Sequence, residues 1–277
     1  MVLLPAPAEP VDTAPSPTGR LRSLALIVAV VAVVAIFVPP LSTVARRFEW
    51  AEAVQFCLAA FLLPASIVLG APWVRRWRHG PDPAPSLGWA KRLVTRRRHH
   101  PDLLRSIGFI AVDIGLIVAW RTPSLVDELA RHPWLVAVET ASLALAGIGM
   151  WLELVASPPF QPRLARPWRG VLAAMEMWAV GIMSYMVGFS DVPWYQAFHH
   201  TGSGLSMSGD QQLATGILWV AAICAFLPVV FSDLIGWLNS DEDPDTEMRR
   251  LVQGERRSGA RWRAGGGSGT DTRWGPR

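Results

Sequence analysis

The sequence predicts an all-α integral membrane bundle of about six spanning helices, on three observations. Half of the 277 residues are apolar (51%), and the charges gather in short stretches between long runs that hold almost none. Six of those runs approach the roughly 20 residues an α-helix needs to cross about 30 Å of hydrocarbon. The basic residues also divide unevenly between alternate connections, as the positive-inside rule requires of polytopic proteins. A mean hydropathy of +0.27 would not decide the class alone, since soluble domains reach similar apolar fractions.

The chain divides into a tail, a transmembrane domain and a second tail. Residues 1–20 are rich in Pro and Ala without an apolar run, which predicts a disordered cytoplasmic tail. Residues 21–239 hold the spans: Ser23–Val44, Trp50–Trp73, Leu103–Trp120, Trp134–Ala156, Trp168–Phe189 and Gln211–Leu238. The first run follows Arg20 and Arg22 and could be read as a late signal peptide. Thr43-Val44-Ala45 is a mediocre cleavage site and Arg46-Arg47 follows it directly, so the run is expected to remain as a span. Residues 240–277 open acidic and turn basic and Gly-rich, which predicts a disordered cytoplasmic tail. Trp50, Trp73, Trp120, Trp134, Trp168, Trp194 and Trp237 stand at or near span ends, and this aromatic belt accounts for half of the 14 tryptophans.

Orientation follows from the loops. All but four of the 26 Lys and Arg residues fall on one side when the six spans alternate; the four are Arg46, Arg47, Arg121 and Arg131, in the opposite connections. The 190–210 loop has no Lys or Arg at all. Both termini are therefore expected in the cytoplasm of a plasma-membrane protein. The same distribution explains the pI of 9.8, so the lipid bilayer rather than nucleic acid is the expected partner.

Little in the chain points to catalysis. There is no P-loop, nucleophile elbow or zinc-protease motif, and no CxxC. Cys57 and Cys224 fall at different depths in their spans, which argues against a disulfide. None of the six histidines lies inside a span, which argues against a transmembrane b-type haem. His79, His99 and His100 belong to the basic cytoplasmic loop, whereas His132, His199 and His200 fall on the outer side together with Met207. Imidazole and thioether suit copper, so these four are the candidate metal ligands; the plainer reading makes them helix-start and loop residues.

Intramembrane acids are the second signal. Asp113 and Glu176 fall near the midplane, where a carboxylate costs about 2.5–3.5 kcal/mol to insert. Proton or ion passage is one reading and an interhelix hydrogen bond the other. Glu139 and Glu153 lie nearer the ends of the fourth span, and Glu52 starts the second. Met175, Met183 and Met186 lie close to one face of the fifth span, as a copper path or as ordinary packing. Ser208-Gly209-Asp210-Gln211 opens the last span and reads as a capping box, with Ser208 accepting from the Gln211 amide and Gln211 reaching back.

Four stretches together carry a resemblance. Asp210-Gln211-Gln212-Leu213-Ala214 with Gly216 and Trp219 is the first, and Gln55 with Phe61-Leu62-Leu63-Pro64 and Leu69-Gly70-Ala71-Pro72 is the second. Trp120, Pro123, His132-Pro133 and Glu139 form the third, and Asp191 with Pro193-Trp194-Tyr195 the fourth. In this order they resemble the cytochrome c oxidase assembly family, CtaG-like, over about residues 45–240. The resemblance implies a non-enzymatic membrane accessory factor that partners oxidase subunits and delivers or inserts copper. The chain departs from the pattern where the family carries histidines: Glu52 and Phe56 flank Gln55, Arg121 follows Trp120, and Thr140 follows Glu139. A transporter or channel built on Asp113 and Glu176 is the alternative from another class, and a structural subunit of a respiratory complex is a third.

Overall fold

The computed structural model describes residues 17–74, 103–198 and 205–239. Expectations for residues 1–16 and 240–277, for the basic loop 75–102 with its three histidines, and for His199 and His200 lie outside the described residues. Among the described residues there is no strand, only an isolated bridge between Ser157 and Phe160.

Helix α1 (Pro17–Phe37) starts inside the segment expected as a tail and stops just before Pro39-Pro40, where the N–H groups needed to continue it are missing. A short α2 (Leu41–Val44) leads to α3 (Glu49–Cys57), which runs through a π turn (Leu58–Leu62) into α4 (Leu63–Gly70). That wide turn immediately precedes Pro64, whose ring and missing N–H would otherwise disturb the carbonyls one turn back. Helix α5 (Leu103–Trp120) and α6 (Pro123–Arg131) follow, then α7 (Leu135–Leu154), α8 (Arg166–Gly188) and α9 (Met207–Leu238), with Pro228 inside α9.

Five segments are long and apolar enough to cross a membrane: 19–44, 49–74, α7, α8 and α9. A sixth exists if α5 and α6, bent by 65° about Arg121-Thr122, count as one span. The membrane bundle expected from the sequence is thus present, and its third span is the irregular one. Pro123 favours the break, since it disfavours helix at Thr122 and suits the first turn of α6. Leu24, Ile27, Val31 and Val34 of α1 are exposed, as a lipid-facing surface requires.

The core joins α3, the π turn, α7 and α9. Phe226 stacks on Trp151 (centroids 5.4 Å, planes 11° apart) and meets Phe61 edge-on at 5.8 Å. Gly147 lets α7 approach α4 closely: a Cβ there would lie 2.7 Å from Cγ and 2.9 Å from Cβ of Pro64, atoms of a rigid ring. We expect Gly147→Ala to cost about 1–3 kcal/mol by overpacking. Gly115→Ala, into open space, is expected to leave the thermal unfolding midpoint in detergent unchanged. Equal midpoints for the two variants would contradict this packing.

The two ends of the bundle differ. One collects Arg163, Arg166 and Arg169, and is latched by polar contacts between helices. Arg169 Nη2 pairs with Asp233 at 2.8 Å, Arg166 Nη1 donates to the Gly236 carbonyl at 2.8 Å, and Ser106 Oγ donates to Glu153 at 2.9 Å. Trp73 Nε1 donates to the Pro158 carbonyl at 2.8 Å, anchoring one of the expected belt tryptophans. The opposite, Arg-poor end holds the α1–α3 connection, α6 and the α8–α9 connection.

Candidate functional site

The Arg-poor end is where chemically distinctive side chains converge. Arg121, at the α5–α6 bend, was expected as an outer-loop cation; instead it is 3% exposed. The helix break turns its side chain inward, where Nη1 pairs with Glu52 of α3. Its guanidinium also lies over two rings, Phe56 and Tyr195, each with the centroid 5.2 Å from Cζ. The Tyr195 hydroxyl donates to the Arg121 carbonyl at 3.1 Å, so the 190–198 segment is tied to the same residue twice. Burial raises the Tyr195 phenol above its ordinary pKa, against the opposing pull of Arg121, and keeps it a neutral donor. Glu49, Glu52 and Glu139 all interact electrostatically with Arg121. Three of the positions where the resemblance expects histidine, 52, 56 and 121, therefore form one ion-pair and cation–π group. The fourth, Thr140, is buried beside Glu139 with its hydroxyl lacking a partner.

Asp210 and Gln211 act as joints between helices. The backbone N–H groups of Glu49 and Trp50 donate to the Asp210 carboxylate at 2.9 and 3.0 Å, so the start of α9 caps the start of α3. Gln211 Nε2 donates to the Val187 carbonyl at 2.7 Å, and its Oε1 accepts from the Trp194 N–H at 2.9 Å. The expected capping box is thereby corrected. The N-cap of α9 is Ser206, which accepts from the Gly209 N–H at 3.0 Å, while Ser208 is exposed. Gln211 is spent on Val187, whose carbonyl in the last turn of α8 also accepts the Ser190 N–H at 3.2 Å. Gln212 faces outward.

The candidate copper ligands are not gathered by the described residues. The His132 side chain is 55% exposed, with Nε2 3.4 Å from Glu128 Oε2. Met207, at the first turn of α9, is 41% exposed. Among the described residues no three His, Cys, Asp or Glu side chains stand close enough to hold one metal ion. On α8, Met175 and Met186 point outward, while Met177 and Met183 pack against the core, so the methionines do not line one internal path.

The two acids expected near the midplane lie within electrostatic reach of each other. Asp113 and Glu176 are fully buried on contacting helices, near enough to interact electrostatically. Asp113 Oδ2 and both Glu176 oxygens have no hydrogen-bond partner. Each residue stands ten positions from the Arg-rich start of its helix, or about 15 Å.

Sequence reasoning missed the cluster as a unit, although its parts were visible. An arginine beside Trp120 and a glutamate three residues before Gln55 are opposite charges near one end of two spans. Only the 65° bend shows that they meet.

One family model matches: the cytochrome c oxidase caa3 assembly factor family (Caa3_CtaG), over residues 11–240. No curated protein and no solved structure matches the chain.

Proposed function

Because the chain belongs to the cytochrome c oxidase caa3 assembly factor family, we propose that it serves oxidase maturation as a non-catalytic accessory of the plasma membrane, working through the Arg-poor end of its bundle. Convergence carries this reading. Gln55, Arg121, Glu139, Tyr195, Asp210 and Gln211 lie in four separate stretches that mark the family resemblance, and all come to this one end. The basic-residue distribution favours placing that end outside the membrane, with both termini in the cytoplasm. Oxidase subunits approaching from the outer side are the partners this arrangement suits.

Copper is the cargo the family resemblance suggests, and this chain's donors define where it would sit. The buried cluster offers carboxylate, amide, guanidinium and phenol groups, which do not suit Cu(I). A copper route therefore rests on His132, His199, His200 and Met207. The test is complementation of a deletion strain, read as spectroscopically mature oxidase, with copper content of the purified Cu(I)-loaded protein measured beside it. We expect the wild-type chain to restore the oxidase. If the quadruple alanine variant of those four residues loses both copper and complementation, copper handling stands. Full complementation by a copper-free variant would eliminate copper and leave a scaffold role. Failure of the wild-type chain to restore any oxidase would overturn the assembly reading.

A second reading, proton or ion passage, is favoured by the unpartnered Asp113–Glu176 pair. Proteoliposomes should then show a cation or proton flux that Asp113→Asn with Glu176→Gln removes. No flux above that of empty vesicles would dispose of it.

A further inference from the structure

Between α1, α2, α3, α6 and α7, at the Arg-poor end, lies a cavity of about 60 Å³ that opens to the surface. Its volume admits a few water-sized groups. Most of its wall is apolar, from Ile36, Val126, Leu129, Val136 and Phe198. The polar part is a set of oxygen-bearing side chains, Glu52, Gln55 and Glu139, with Ser42 and Arg46 completing the lining.

Glu139 is the unusual member. It is 4% exposed, it lines the cavity, and its Oε1 has no hydrogen-bond partner. Gln55 donates its amide nitrogen to the Ile36 carbonyl at 2.6 Å, which leaves its amide oxygen as the available pole. Glu52 is held by Arg121 through Oε2 alone.

Were all the carboxyls at this end ionised, the charges would not balance within the protein. Glu49, Glu52, Glu139 and Asp210 are buried together at this end, and Arg121 is the one buried cation described among them. Arg46 also lines the cavity but is exposed, so water screens it. A buried carboxyl without a counter-charge favours its neutral form, and a small cation entering the opening would supply the counter-charge and displace the proton.

We propose that this cavity binds a hard divalent cation of the Ca2+ type, through the carboxylates of Glu52 and Glu139 and the amide oxygen of Gln55. The donors are all oxygen, which selects hard cations and disfavours Cu(I). Ca2+ tolerates an irregular set completed by water, whereas Mg2+ demands near-octahedral geometry and gives up its hydration shell reluctantly. The bound ion would cross-link α3 to α7 beside Arg121. The inference stands apart from the assembly reading, because it needs neither an oxidase nor copper.

The experiment uses the full chain, purified in detergent and stripped of metal, with 45Ca2+ equilibrium binding and thermal unfolding across a Ca2+ titration. We expect saturable binding of about one ion per chain, at a Kd of roughly 10⁻⁴–10⁻³ M, with a matching rise in the unfolding midpoint. Glu139→Gln keeps the shape of the side chain and removes its charge, and should weaken binding more than about tenfold. Ala130→Trp, which fills the cavity from α6 without altering a charge, should do the same. Glu128→Gln, an exposed carboxylate at the same end, should bind as wild type. Absence of saturable binding to the wild-type chain would overturn the proposal. So would binding that persists in both Glu139→Gln and Ala130→Trp, since the ion would then lie elsewhere.

Discussion

Replacing Arg121 by leucine is expected to destabilise the bundle by about 3–5 kcal/mol, the range for breaking a buried ion pair from one side. Arg121 is 3% exposed and is the cation that faces Glu52, Glu49 and Glu139. Leucine would leave Glu52 buried without its partner and would give up the cation–π contacts with Phe56 and Tyr195. Lysine should recover only part of the loss. Its compact ammonium cannot present a planar face to two rings while donating to Glu52. Glu52→Gln alone should cost less than Arg121→Leu, because Arg121 then still faces the carboxyl groups of Glu49 and Glu139. Adding Glu52→Gln to Arg121→Leu should restore part of the stability, since it removes the stranded charge. The pair should therefore show a coupling energy of about 1–3 kcal/mol in SDS unfolding from mixed micelles. An Arg121→Leu protein within about 0.5 kcal/mol of wild type would mean that this charge cluster does not hold the end together.

How much of this was legible in the sequence depends on the range of the interaction. The spans were legible because apolar length is a local property: α7, α8 and α9 fall where unbroken apolar runs put them. The third span was legible as a segment but not in shape, since its bend arises at Arg121-Thr122-Pro123 and is held by contacts with α3 and the 190–198 segment. Positions 52, 56 and 121 read one at a time as missing histidines, and only tertiary packing shows that Glu52 and Phe56 are both partners of Arg121. The capping box failed for a related reason. Ser208 and Gln211 satisfy a pattern four residues long, but the Gln211 side chain instead bridges the Val187 carbonyl of α8 and the Trp194 N–H, long-range partners that no local rule can see. Asp113 and Glu176 were each read from their place in a span, and the structure adds that they are buried close enough to interact electrostatically.

Asp210→Ala is expected to cost about 2–4 kcal/mol, the second largest effect of a single substitution here. Its carboxylate accepts two backbone N–H bonds at the first turn of α3, from Glu49 and Trp50. Bonds to a charged acceptor are worth roughly 1.5–3 kcal/mol each, and a negative charge at a helix N-terminus gains further from the helix dipole. Asp210 is 1% exposed, so water would not readily replace the lost acceptor. Asparagine keeps one acceptor oxygen and loses the charge, and should cost about half as much. A global stability loss could arise in other ways, so a local readout is needed. Amide hydrogen exchange at Glu49 and Trp50 should accelerate in Asp210→Ala more than at the core residues Phe226 and Leu218. Gln212→Ala, on the exposed neighbour, should change neither stability nor exchange. Unchanged exchange at Glu49 and Trp50 would show that Asp210 does not cap α3. The Asp210–Gln211 pair would then lose its role as the joint that fixes α3, α8 and α9 around the Arg121 cluster.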